Sequence, residues 1–141
     1  MSTLSAAVRA SASALTAERT RIEVAVSNLA NAESTRSVDG QPYRRRDVLL
    51  AAEPSRTFDT ALGTATATGV RVAGVIEDTE PFRQRYEPSH PDAVNGYVSL
   101  PNVDATTEMV DLLGAARAYQ ANLAAINVIR DMVARSLELG K

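Results

Sequence analysis

Cysteine and tryptophan are both absent from the 141 residues. Without cysteine there are no disulfides, no thiolate metal sites and no cysteine nucleophile, and the redox compartment is left open. Aromatic residues make up only 4% of the chain although 45% of it is apolar, so alanine and single aliphatics supply most of the apolar surface. Such residues let helix backbones approach closely but fill little volume, which points to a thin, elongated core. There is no excess of positive charge either. Fifteen Lys+Arg against 17 Asp+Glu give a net charge of -2, with no overall basic field to draw nucleic acid. No stretch approaches the ~20 apolar residues of a membrane span. Residues 1–5 lack a basic region followed by an apolar one, so no cleavable secretory signal is expected.

Glycine and proline are missing from residues 3–31, where Ala, Leu, Glu and Arg dominate and favour helix. Within that stretch Leu4, Val8, Ser11, Leu15, Glu18, Ile22, Ala25 and Leu29 alternate in fours and threes, the spacing of a coiled-coil seam. Val8, Leu15, Ile22 and Leu29 fill one set of layers well; Ser11 and Glu18 weaken the other. The far end repeats the pattern. Asp104 is a suitable N-cap, and Glu108 in the first turn complements the helix dipole. Met109, Leu112, Ala116, Tyr119, Leu123, Ile126, Arg130, Val133 and Leu137 form the second seam, and Gly140 offers a C-cap. A helix over residues 103–139 would be roughly 55 Å long. Gly114 inside it lowers helix propensity by about 1 kcal/mol, a cost that close packing would explain.

The middle reads differently. Five glycines and six prolines punctuate it between Gly40 and Pro101. Val70, Val72 and Ile76, and then Phe82, Gln84 and Tyr86, alternate with polar or small residues as half-buried strands do. Residues 43–51 and 97–100 are weaker strand candidates, and residues 55–69 read as a mobile Thr/Ala-rich loop. No internal repeat is visible. The expected fold is α+β: residues 1–33 and 103–141 as long helices pairing as a coiled coil, with a small β-rich insert over 34–102.

Apolar residues also lie off both seams. Val26 and a run of alanines surround the first helix; Leu113, Ala115, Ala118, Ala121, Ala125 and Ile129 surround the second. A helix pair covers one stripe on each helix and no more. Neighbouring chains must therefore cover the rest, in preference to a small monomeric bundle that would leave long helices with little opposing them.

Catalytic arrangements fare poorly. His90, the only histidine, lies beside Pro91 and reads as an exposed loop residue. Ser89, His90 and Asp92 lack the context of a nucleophilic triad. Glu77, Asp78 and Glu80 lack the ligand spacing of a calcium loop and read as a solvated strand end. Arg44, Arg45 and Arg46 have little aromatic company, so an exposed strand or an acidic protein neighbour suits them better than nucleic acid. No Gly-rich phosphate loop is present. No enzyme, cofactor, metal or small-molecule substrate is expected.

Three segments together resemble one family. Ser27-Asn28-Leu29-Ala30-Asn31, followed by Gln41-Pro42-Tyr43-Arg44, is similar to the signature of flagellar rod, hook and related axial proteins. So are Pro101-Asn102-Val103-Asp104, Glu108-Met109 and Arg117-Ala118-Tyr119-Gln120-Ala121-Asn122. With Tyr86-Glu87-Pro88 ahead of Gly96-Tyr97-Val98, the order resembles the short proximal-rod members most. The resemblance implies a structural subunit whose terminal helices form the inner tube of the rod, with the insert outside it. Its partners would be copies of itself and other rod subunits. It would leave the cell through the flagellar type III export apparatus without a cleaved signal, and lie in the rod where that crosses the periplasm. Besides the two seams, Asn28 and Asn31 at the first helix end and Gln120 and Asn122 beside the second seam would belong to the assembly interface. The rival readings are another short rod subunit or an unrelated secreted coiled-coil assembly protein.

Overall fold

The computed structural model describes residues 3–37, 39–53 and 69–139. Helix α1 spans Thr3–Ala30 and helix α2 spans Ala105–Leu139. At 1.5 Å per residue they are about 42 and 52 Å long. Both begin and end within a residue or two of what glycine and proline punctuation and the Asp104 cap imply. They run antiparallel: Asn28, near the end of α1, meets Glu108 in the first turn of α2, and Leu4 and Val8 line a groove with Ile129, Met132 and Leu137.

Between the helices lie two antiparallel two-stranded sheets. Strand β1 (Arg46–Ala52) pairs with β2 (Val70–Glu77), with Arg46 opposite Glu77, Ala52 opposite Val70 and an irregularity at Leu49/Leu50. Strand β3 (Arg83–Tyr86) pairs with β4 (Tyr97–Leu100). Apart from Gly69, the 55–69 loop lies outside the described residues.

Burial follows the strands unequally. In β4 Val98 and Leu100 point inward, and Pro101 and Val103 continue that buried line to the start of α2. All four residues of β3 are exposed. The alternation around Phe82, Gln84 and Tyr86 therefore has no buried face within the strand; in this two-stranded sheet β4 supplies the inward side chains. Phe82 just before it is half-buried, with the Arg44 guanidinium 4.5 Å from its ring centre.

The β1–β2 ribbon lies along α1 and is tied to it near both ends. Arg46, the first residue of β1, bonds to the Asn28 side chain. At the other end the Val70 N–H donates to Ser13 Oγ at 3.0 Å. The stretch of α1 from Ser13 to Asn28 rises about 22 Å, and the seven residues of β1 reach about the same length at ~3.3 Å per residue. Helix and ribbon match in length, so both ties form without distortion. The β3–β4 unit docks on the turn after α1, where Asp92 accepts a hydrogen bond from Thr35 and pairs with Arg36 at 2.9 Å, and Arg85 pairs with Glu33. His90 is half-buried, not exposed: its Nδ1 accepts the Asp92 N–H and shapes the turn that presents that carboxylate.

Asn95 and Gly96 both have positive φ, 53° and 85°, and Val94 and Tyr97 exchange backbone hydrogen bonds across them. Two successive left-handed residues form the tight turn for which Asn-Gly is the preferred pair. A Cβ on Gly96 would also stand 2.9 Å from Cε2 of Tyr86. Gly96→Ala is therefore expected to lower stability by about 1–2 kcal/mol through left-handed strain alone, and to displace the Tyr86 ring from its edge contact with Tyr97. An unchanged urea midpoint would contradict this.

Candidate assembly surface and the junction beneath it

Where α1, β1 and α2 meet, the side chains are polar and nearly sealed. Asn28 is 1% exposed and Glu108 2% exposed. The Asn28 amide nitrogen donates to the Arg46 carbonyl at 2.8 Å and to Glu108 Oε2 at 2.9 Å. Its oxygen accepts from the Tyr43 hydroxyl at 2.9 Å and the Arg46 N–H at 3.0 Å. Both donors and both lone pairs are thus used. The amide has only one workable orientation, since the carbonyl and carboxylate can only accept and the N–H can only donate.

The other Glu108 oxygen takes the Arg45 Nε–H, and Arg45 also lies within 4.0 Å of carboxylate oxygens of Asp47, Asp78 and Asp111. Burial opposes the Arg45 charge, but the Glu108 hydrogen bond and the surrounding carboxylates outweigh it and raise its pKa above the ordinary arginine value. The three arginines 44–46 are accordingly partnered inside the chain: Arg44 on Phe82, Arg45 on Glu108, Arg46 on Tyr43 and Glu77. Neither an exposed strand nor an acidic neighbour is needed to account for them. Asn102 closes the junction, its oxygen accepting the Arg45 N–H at 3.0 Å.

Asp104 caps α2 as expected, its carboxylate accepting from the Thr106 N–H and the Thr107 hydroxyl, each at 3.0 Å. These two bonds hold its pKa below the usual 3.8. A depressed folded pKa adds stability that is present above the unfolded pKa and lost as pH falls through the folded one. Asp104→Ala should therefore flatten the loss of stability on acidification below pH 3.8, measured by urea unfolding at several pH values. A parallel curve for the variant would refute the assignment.

Above the junction the helices meet through small residues. Ala17 and Ala25 on α1 and Ala115 on α2 are the buried apolar residues of the helices, while Val8, Leu15, Ile22 and Leu29 are half-buried, as are Leu112, Ala116, Tyr119 and Ile126. Met109, Leu123, Val133 and Leu137 are exposed large hydrophobics, and Gln120 is exposed too. Asn31 and Asn122 are half-buried and donate back to the carbonyls of Ser27 and Ala118 one turn earlier. Gly114 is exposed, and a Cβ there would meet nothing within 4 Å. Close packing inside this chain is therefore not the reason for that glycine.

Away from α1, α2 carries exposed apolar residues: Val110, Leu113 and Val128 are each more than half exposed. At the end of the pair farthest from the insert, Leu4 and Val8 face Ile129, Met132, Val133 and Leu137 across an open groove of about 540 Å³. Among the described residues no group of His, Asp and Glu is arranged to hold a metal, and no helix is long and apolar enough to cross a membrane.

Residues 94–139, which include β4 and all of α2, match the model of the flagellar basal body rod FlgEFG protein C-terminal family. Over almost the whole chain the sequence is also similar to curated relatives. It is 47% identical to the flagellar basal-body rod protein FlgC of Salmonella typhimurium over 130 residues, 92% of each chain. It is 44% identical to the Bacillus subtilis protein of that name (93% of this chain, 94% of the relative) and 36% identical to that of Borreliella burgdorferi (96% and 97%). The chain belongs to the FlgC family of flagellar basal-body rod proteins. It is a structural subunit of the basal-body rod. The matched 94–139 segment carries Asn102 and Glu108 of the junction and the exposed apolar face of α2.

The junction was only half legible in the sequence. Asn28 stood out through its motif, but Arg45 and Glu108 each had an ordinary local explanation. Ser13 and Ala17 carried no signal beyond helix propensity, whereas Ala25 was legible as a seam position and Ala115 as an apolar residue off the second seam.

Proposed function

We propose that the helix pair assembles in the rod with copies of itself and with other rod subunits, its exposed apolar faces covered by their helices. The observation that carries this reading is the row of large apolar residues left open on α2. Burying each is worth about 1.5–3 kcal/mol, and a patch of this extent marks an interaction surface. Gly114, with open space beside it, suits the close approach of a neighbouring backbone. In this arrangement the seam residues Val8, Leu15, Ile22, Leu29, Met109, Leu112, Ala116, Tyr119, Leu123, Ile126, Val133 and Leu137 pack in coiled-coil fashion, within the pair and with neighbours. Asn28, Asn31, Gln120 and Asn122 fix register. The helical ends 1–33 and 103–141 form the inner layer, and residues 34–102 the outer layer. The subunit reaches the periplasmic stretch of the rod through the flagellar export apparatus.

The lack of native cysteine makes a direct test available. Single cysteines in place of Leu113 or Val128 should react with a water-soluble maleimide at least about ten-fold more slowly in isolated basal bodies than in the purified chain, as burial removes the thiol from solvent. Equal rates in both states would rule out these faces as the assembly surface.

A further inference from the structure

The geometry points to the Asn28–Glu108–Arg45 junction, together with the Ser13 tie, as a lock that fixes one orientation of the β1–β2 ribbon on the helix pair. A ribbon joined to a helix by a linker alone would swing. Here the linker's last residues are captured. Arg46 gives both its N–H and its carbonyl to the Asn28 amide, and Arg45 gives its N–H to Asn102 and its guanidinium to Glu108. Two successive residues are thereby bound to α1, to α2 and to the segment leading into α2. Some 20 Å along α1, Ser13 Oγ takes the Val70 N–H. Two ties that far apart remove rotation about either one.

The lock is specific in chemistry. Only an amide satisfies a carbonyl, a carboxylate, an N–H and a hydroxyl at position 28 together. An aspartate there would set a second carboxylate against buried Glu108 and leave the Arg46 carbonyl without its donor. Asn28 and Glu108 are themselves buried, so water is a poor substitute for the bonds between them.

The test uses the full-length chain with nitroxide labels on cysteines replacing Ala73 in β2 and Arg117 in α2, both exposed, and pulsed electron resonance to read the distance distribution. The parent should give one narrow distribution. Asn28→Ala should widen it about two-fold, as a hinge replaces a lock, while the far-ultraviolet circular dichroism stays at the parent level. Ser13→Ala, which spares the junction, should widen it by less. Asn28→Asp should widen it most, and Asn28→Asp combined with Glu108→Gln, which restores a donor facing an acceptor, should recover some of the narrowness; that non-additivity is the signature of direct coupling. Ala25→Gly weakens α1 without touching the hydrogen bonds and should leave the width unchanged. The inference fails if neither Asn28→Ala nor Ser13→Ala widens the distribution, or if Ala25→Gly widens it as much as Asn28→Ala does.

Discussion

Leu123→Asp should leave the isolated chain folded and abolish the rod. In the single chain Leu123 is 45% exposed. Replacing it forfeits only a fraction of a leucine's burial and a few tenths in helix propensity, about 1 kcal/mol in all. In an assembly that covers the side of Leu123 left open in the single chain, the same carboxylate is trapped without a partner, and the penalty rises to several kcal/mol at each interface. The two measurements are urea unfolding of the purified variant, and swimming with electron microscopy of basal bodies from cells in which it is the only copy. Normal swimming would show that α2 does not assemble through this face. Loss of folding in the purified variant would show instead that Leu123 belongs to the core of the single chain.

Glu108→Ala should have the largest effect on the chain by itself. It leaves the Arg45 guanidinium among Asp47, Asp78 and Asp111 at 3.8–4.0 Å but takes away its close partner, and it strands one Asn28 donor in a sealed site. Breaking a buried pair from one side destabilises by about 3–5 kcal/mol; the partial exposure of Arg45 puts the expected loss near ~3 kcal/mol. Glu108→Gln keeps the volume but only one of the two acceptors, so its amide N–H2 must face either the Asn28 donor or the Arg45 donor; it should lose less than alanine does, about 2 kcal/mol. Urea unfolding of the two variants gives the comparison. A loss below about 1 kcal/mol in the alanine variant would show that the carboxylate is not what holds the junction.

The contrast between these variants mirrors what the sequence could tell. The two helices were legible because their signals are local: no glycine or proline before Asn31, and an N-cap at Asp104 whose partners lie two and three residues away. Strands β2 and β3 were legible because alternation is local too, whereas residues 43–51 and 97–100 were weaker candidates. The centre of the helix contact was harder. Leu15 and Ile22 are the larger residues and define the visible periodicity, yet Ala17, Ala25 and Ala115 are the most buried apolar residues of the helices, because a small side chain is covered completely where a long one still reaches solvent. The junction was least legible of all. Its bonds join residues 18, 63 and 80 positions apart, and nothing near Glu108 distinguishes a buried carboxylate from one that merely complements a helix dipole.

The antiparallel pairing also has a mechanical side. Leu4 and Leu137 lie together at the end opposite the insert, so a force that draws either helix end away from the other loads the pair by peeling. Layers then separate singly from the open groove, each resisting alone, and the small apolar contacts yield in turn. The polar junction at Asn28 is loaded last. Pulled instead along its axis, the same pair bears the load in shear, with all its layers strained together. The molecule is thus compliant to a tug on one end and stiff to thrust along its length.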